Sequence, residues 1–130
     1  MTTLPDEIRP VLENGVPCGL VTCSAAGVPN ATIISQAYFV DETHVALSFQ
    51  FFNKTVRNVR ENPRASLALN DIDGSAHWVL QLEFERSETS GPVFEDMEMQ
   101  IEAIATATGM SGIFKLRAAD IYRVLSVRKV

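Results

Sequence analysis

The chain has few cysteines and no long apolar run. Its 130 residues include only Cys18 and Cys23, and an odd spacing in a strand points two side chains to opposite faces. No disulfide is therefore expected, and a reducing cytoplasm is the expected compartment. No apolar segment approaches the roughly 18–20 residues of a membrane span, and residues 1–10 lack the regions of a signal peptide. The two cysteines and two histidines do not have the spacing of metal ligands, so no metal site is expected.

Positive charge is also scarce, because the chain has 11 Lys and Arg residues but 16 Asp and Glu residues, which gives a net charge of −5. Binding of nucleic acid or of an anionic membrane needs a dominant basic face, so neither partner is expected. Any anion site must be local. The length suits one domain over residues 1–130, and a hydrophobic share of 46% is ordinary for a chain with a buried core.

One stretch departs from this acidic background. Residues 51–64, FFNKTVRNVRENPR, hold four of the basic residues within fourteen positions. Asn53 is a good N-cap for a helix over 54–61, and Asn62-Pro63 ends that helix because the residue before proline is pushed out of the helical region. Such a basic run is typical of a solvated surface face, and it also suits an anion site.

Hydrophobic periodicity predicts a mainly β domain with flanking helices. Besides 54–61, helices are predicted over 4–14 and from 90–92 to about 108. Six strands are predicted, over 18–24, 31–40, 44–50, 65–70, 77–88 and 113–127. The first three are expected to form an antiparallel meander, and residues 118–120 are expected to bend the last strand. Tight turns between so many strands indicate a small closed or nearly closed barrel with helices outside.

The predicted helix 54–61 offers a site for a phosphate. Its N-terminus presents free backbone N–H groups and the positive end of the helix dipole. Lys54 and Thr55 lie in the first turn, where an ammonium and a hydroxyl can both reach a phosphate oxygen. Arg57 and Asn58 could add further donors from the next turn. The site is not a P-loop, which needs several glycines before the lysine.

Polar residues precede this helix on two strands. Ser48 and Gln50 share one strand face, and Ser35 and Gln36 interrupt an otherwise apolar run. Phe49 and two further phenylalanines come directly before the helix. Hydroxyls, amides and aromatics beside a phosphate site suit a flat, polar-edged ring that is attached to a phosphate.

The segment 44–69, HVALSFQFFNKTVRNVRENPRASLAL, resembles the pyridoxamine 5'-phosphate oxidase-like, FMN-binding split-barrel family. The matching pattern is a strand, a loop, a basic residue and Thr opening a helix, and Asn-Pro-Arg before the next strand. Residues 27–41, GVPNATIISQAYFVD, resemble the family's first hairpin. The resemblance implies a six-stranded antiparallel split barrel that forms a homodimer, with FMN in a groove between the chains.

The resemblance also implies roles for particular residues. Lys54 and Thr55 match the phosphate-binding pair, and Ser48 and Phe49 match the strand end that lines the flavin. His77 and Trp78 fall near the place where the partner subunit touches the flavin, although Trp78 equally suits a core aromatic. Together with helix geometry, the resemblance assigns these residues to the cofactor: Ser35, Gln36, Ser48, Phe49, Gln50, Lys54, Thr55, Arg57, Asn58, His77 and Trp78.

Departures from the family pattern limit the function that the resemblance implies. The second strand, ATIISQ, lacks the arginines of true pyridoxamine 5'-phosphate oxidases, and their C-terminal arginine segment has no counterpart, so vitamin B6 oxidation is not expected. The prediction is an FMN-dependent oxidoreductase acting on a small molecule or a nicotinamide. The alternatives are a non-catalytic flavin-binding or sensory module, or a barrel that binds heme or a deazaflavin. No catalytic residue is assigned. His77 is a better proton-donor candidate than His44, which is expected to face solvent at a turn.

Overall fold

Seven strands and three helices make up the described part of the chain. The structure is a computed structural model that describes residues 2–13, 17–34, 36–48, 53–71, 73, 76–107, 109 and 116–130. The strands are β1 (Cys18–Cys23), β2 (Pro29–Ile34), β3 (Tyr38–Asp41), β4 (His44–Ser48), β5 (Arg64–Asn70), β6 (His77–Glu88) and β7 (Ala119–Lys129). A 3₁₀ turn, Asp6–Ile8, leads into α1 (Arg9–Glu13), and α2 (Asn53–Glu61) and α3 (Pro92–Ala107) follow. Across those ranges no helix is long and apolar enough to cross a membrane.

The strands form one antiparallel sheet in the order β2-β1-β5-β6-β7-β4-β3. In a flat sheet with about 4.8 Å between strands, the two outer strands would lie about 29 Å apart. These two strands, β2 and β3, are consecutive in the chain, and the link over 35–37 spans at most about 14 Å. The sheet must therefore curl until its edges meet at a corner, which gives an open barrel.

Alternating side chains fill the inside of this barrel. Leu20, Leu67 and Leu80 occupy paired positions on β1, β5 and β6, and all three are buried. The next positions along each strand point outward, so β5 alternates buried and more exposed residues along most of its length. This period of two is what the sequence predicts for strands that pack one face on a core.

A second apolar layer lies outside the barrel, beneath α3. Ala46 of β4 and Ile121 of β7 share an apolar cluster with Met97 of α3, whereas Val45 and Leu47 belong to the inner cluster. Strand β4 is therefore buried on both faces. Met97 is buried and has Phe94 and Ile101 beside it, so this face of α3 covers the outer layer.

The predicted mainly β class is confirmed, but the predicted meander of the first three strands is wrong. The second strand, expected over 31–40, is divided into β2 and β3, and these lie at opposite ends of the sheet order. Gln36, Ala37 and Tyr38 are all buried, and three consecutive buried residues do not fit a strand with one solvent face. The chain turns a corner there, and the strand count becomes seven instead of six.

The predicted bend at residues 118–120 also differs from the structure. Strand β7 begins at Ala119, so this position is the start of the strand instead of a bulge within it. Ala119 and Asp120 pair with Ser48 and Leu47 of β4. The preceding residues 113–115, predicted as strand, lie outside the described residues.

His44 was expected to face solvent, but its ring lies between two carboxylates. Nδ1 is 2.9 Å from Asp41 Oδ1, and Nε2 is 2.9 Å from Glu85 Oε2. The Thr43 hydroxyl is 2.8 Å from Nδ1, and Arg123 occupies the paired position on β7. Partial burial of the ring favours its neutral form, but the bonds to Asp41 and Glu85 outweigh this and raise the pKa of His44.

Replacing His44→Gln is expected to lower stability more in mild acid than in base. Because the folded pKa of His44 is raised, its contribution is complete below the unfolded value of about 6.5 and is lost as the pH rises through the folded value. Melting temperatures of both proteins should therefore converge as the pH rises above about 6.5. A difference that stays constant over this range would show that the carboxylates do not bind a charged ring.

Candidate functional site

Helix α2 begins at Asn53, one residue before the predicted start at Lys54, and it ends at Glu61 as the sequence predicts. The backbone N–H of Asn62 donates to the carbonyl of Asn58 at 2.7 Å, and Pro63, which has no N–H, follows directly. Lys54 and Thr55 lie in the first turn, where the backbone N–H groups have no intrahelical acceptor. The N-terminal end of α2 is therefore electropositive.

The hydroxyl of Thr55 is held beside an edge strand. The Thr55 side chain is buried, at 6% exposure, and its Oγ1 accepts a hydrogen bond of 3.4 Å from Nδ2 of Asn30 on β2. A threonine hydroxyl can accept one bond and donate another. The structure therefore brings an amide donor and a hydroxyl together at the electropositive end of α2.

Asn58 points into the protein from the next turn of α2. Its Nδ2 donates to Oγ1 of Thr22 on β1 at 3.1 Å, and both side chains are buried. This bond fixes α2 against β1 and satisfies polar groups that would be costly to bury alone. A contact between Asn58 and a phosphate remains a prediction.

The arginines of the basic stretch differ in their surroundings. Arg64 pairs with Glu83 at 3.3 Å, and the positive charge of Arg60 acts on the carboxylate of Asp120. Arg57 is exposed on α2. Arg60 and Arg64 therefore have acidic neighbours, and the electropositive first turn of α2 lies at the other end of the helix.

The other predicted cofactor residues fall at two places. Ser48 is the last residue of β4 and is partly exposed opposite Ala119, whereas Gln36 is buried with its amide directed toward α1 and α3. The structure does not bring Gln36 to α2 through any hydrogen bond that it shows among the described residues. Ser35, Phe49 and Gln50 lie outside the described residues.

His77 and Trp78 point to opposite faces at the start of β6. His77 is exposed, and its Nδ1 lies 2.5 Å from Oδ1 of Asn70 on β5. Trp78 is 5% exposed within the barrel core, with Nζ of Lys129 at 5.3 Å from its ring centre. The indole therefore has the surroundings of a core aromatic, and the flavin contact of either residue remains a prediction.

Asp120 is a buried carboxylate, although the sequence predicts only that it forms part of a bend. Its Oδ1 accepts a hydrogen bond of 2.5 Å from Oγ of Ser87, where β6 pairs with β7. Burial raises the pKa of Asp120, although the Ser87 bond and Arg60 act against that shift. The sequence offers one signal for this carboxylate, because Asp120 stands directly before the apolar run of β7. An acidic residue that is buried there needs partners.

An apolar patch covers the outer face of β1 and β2. Ile33 is 72% exposed and Val21 is 40% exposed, and the pairing of Gly19 with Ile33 and of Val21 with Ala31 places both side chains on one face. Ile33 and Val21 are diagonal neighbours, so their side chains can touch. Exposed apolar surface of this kind is typical of an interaction site.

These features define a class of protein: a small split β-barrel with an electropositive helix end beside one edge strand. The sequence profile of the pyridoxamine 5'-phosphate oxidase family matches residues 4–125. The chain therefore belongs to the pyridoxamine 5'-phosphate oxidase family. A comparison with curated proteins finds no match.

Solved structures with the same fold differ in what they bind. An FMN-binding protein from Syntrophomonas wolfei subsp. wolfei aligns with a TM-score of 0.78 and 15% identity, over 95% of this chain and 84% of its own. An F420 reductase aligns with a TM-score of 0.68 and 12% identity, over 96% and 98%. HutZ, the heme storage protein from Vibrio cholerae, aligns with a TM-score of 0.61 and 18% identity, over 98% and 94%. Identities this low show the shared fold alone.

Proposed function

We propose that the protein is an FMN-binding flavoprotein, and that it acts as an oxidoreductase on a small organic molecule, with a nicotinamide as a possible electron donor. The observation that carries the proposal is the first turn of α2. Lys54 and Thr55 occupy the positions that match the family's phosphate-binding pair, and the Thr55 hydroxyl is buried against Asn30 of β2.

The chemistry of these residues fits a phosphate monoester. Backbone N–H groups at the start of α2 can donate to phosphate oxygens, and the dipole favours the negative charge. Thr55 Oγ1 already accepts from Asn30, so its hydroxyl hydrogen can be donated outward. When bound, FMN would supply the redox chemistry, and the residues of this chain would bind and orient it.

We place the flavin ring in a groove between two copies of the chain, as the family resemblance implies. The exposed Ile33 and Val21 lie on β1 and β2, and β2 also carries Asn30, which contacts Thr55. Asn30 faces the opposite side of β2 from Ile33, so a second copy packed on this patch would lie across the edge strand from the proposed phosphate site. The proposed compartment is the cytoplasm, consistent with Cys18 and Cys23 being thiols.

Two alternative functions follow from the fold. A barrel of this kind can hold a deazaflavin or heme, since an F420 reductase and a heme storage protein align over almost the whole chain. A deazaflavin cofactor with a phosphate would use the same helix end as FMN. Heme in a protein is commonly held by a histidine, and His44 already has a carboxylate at each ring nitrogen.

The visible absorption spectrum of the purified protein tests the proposal. Flavin bands, or binding of added FMN to colourless protein, are the expected result, whereas a Soret band would replace the proposal with heme binding. Anaerobic mixing with NADH or NADPH then tests for turnover. Bleaching of the flavin supports an oxidoreductase that accepts nicotinamide electrons. If neither nucleotide nor a panel of small organic reductants bleaches it, the protein is a passive flavin-binding module.

A further inference from the structure

A cavity of about 460 Å³ lies between α1, β3 and α3. It shares no residue with the first turn of α2 or with the apolar patch on β1 and β2. Its walls combine apolar, aromatic and charged side chains: Arg9, Leu12, Glu13, Phe39, Val40, Asp96 and Gln100. A cavity of this size can hold a small organic molecule.

A buried amide beside the cavity has an unused acceptor. Nε2 of Gln36 donates to the carbonyl of Leu12 and to Oε1 of Gln100, both at 3.3 Å, and both of those residues line the cavity. Among the described residues, Oε1 of Gln36 is buried without a hydrogen-bond partner. Gln36 does not itself line the cavity, so its amide serves to hold Leu12 and Gln100 of the cavity wall in place.

The orientation of this amide follows from the network around it. Nε2 of Gln100 donates to Oδ2 of Asp96 at 2.8 Å, which leaves Gln100 Oε1 as an acceptor. Gln36 therefore faces two acceptors, Gln100 Oε1 and the Leu12 carbonyl, and must present its NH₂ group to both. The Gln36 oxygen is left as the acceptor, roughly 2.2 Å from Nε2 by amide bond lengths.

The charges around the cavity favour a cationic ligand. Arg9 is paired with Glu13 at 2.7 Å, and its guanidinium lies 4.3 Å from the centre of the Phe39 ring. Asp96 receives only the neutral amide of Gln100 among the contacts shown for it. The cavity walls thus carry one cation and two carboxylates, and Asp96 is the carboxylate whose charge remains to be balanced.

We infer that this cavity is a second ligand site, for a small organic cation with an ammonium group next to an apolar or aromatic body. The ammonium would donate to Asp96, whose amide partner Gln100 is bonded to the buried Gln36, and the apolar body would pack on Leu12 and Val40. The site is separate from the proposed flavin site.

Phenethylammonium is a suitable probe, because it joins an ammonium to an aromatic ring through a short chain. Titrating it into ¹⁵N-labelled protein while following the side-chain amides of Gln36 and Gln100 should give saturable shifts, with a Kd of about 1 mM or lower. Phenylacetate has the same ring and the opposite charge and should cause no such shifts. Equal shifts with both compounds, or none with phenethylammonium, would overturn the proposal.

Two variants on α3 separate a specific site from general attraction to an acidic protein. Asp96→Asn should weaken phenethylammonium about twofold to fivefold, since Asp96 is exposed and its pair with the ammonium is partly screened by solvent. Glu98→Gln removes the same charge from an exposed position that does not line the cavity and should leave the affinity unchanged. Equal weakening in both variants would rule out a site at Asp96. Absorbance of bound FMN should be the same in both, which distinguishes this test from that of the flavin proposal.

Discussion

Replacing both Lys54 and Thr55 with alanine is expected to weaken FMN binding by about 2–4 kcal/mol, or roughly 30-fold to 1,000-fold. The change removes an ammonium and a hydroxyl from the first turn of α2. Bonds to a charged phosphate are stronger than neutral ones, and the helix end itself remains to bind weakly. Quenching of flavin fluorescence during titration with FMN would measure the affinity.

Arg60→Ala is the matched control for this experiment. It removes one positive charge from the same helix, but at the end where the charge acts on Asp120. Its FMN affinity should stay within about threefold of the unchanged protein, because charge separated from the ligand by a helix length is largely screened. An unaltered affinity in the double variant would place the phosphate elsewhere. A similar loss in Arg60→Ala would mean that only the total charge matters.

Replacing Ile33→Asp is expected to dissociate the proposed homodimer. Ile33 is 72% exposed at the centre of the apolar patch, so a dimer that packs on this patch would bury one carboxylate from each copy. Burying a charge without a partner costs several kcal/mol, and the dimer should weaken at least a hundredfold, or about 3 kcal/mol. Sedimentation or light scattering should then give half of the original mass.

Met99→Asp provides the comparison, because Met99 is 70% exposed on α3 and away from β1 and β2. This variant should keep the mass of the dimer. If Ile33→Asp has the mass of the unchanged protein, the patch on β1 and β2 is not the interface. If it dissociates and also loses FMN, the two observations together support a flavin site completed by both chains.

Local signals in the sequence were sufficient for most of the fold. The Asn-Pro pair indicated the end of α2, and hydrophobic periodicity indicated the long strand β6. The corner at Gln36 and Ala37 could not be predicted from such local signals. It depends on burial of Gln36 and Ala37 against α1 and the barrel, which is a tertiary contact and leaves no local periodicity.

The candidate site was predictable where it depends on one helix. The first turn of α2 follows from capping and helix geometry, so Lys54 and Thr55 could be selected from the sequence alone. The residues that contact this helix could not be selected in the same way, because Asn30 contacts Thr55 and Thr22 contacts Asn58 only after distant segments have folded. The same holds for Gln36, whose amide is directed toward residues of α1 and α3 that are far away in the chain.

The position of β2 and β3 at opposite edges of the sheet has a consequence for folding kinetics. Neighbouring hairpins such as β1 with β2 can form early, because only a short loop must close. The pairing of β4 with β7 joins segments separated by much of the chain, and it is the pairing that attaches β4 and β3 to the rest of the sheet. Proteins dominated by such distant pairings fold in milliseconds to seconds. Refolding should therefore be slow, with the closing strand pair as the late step.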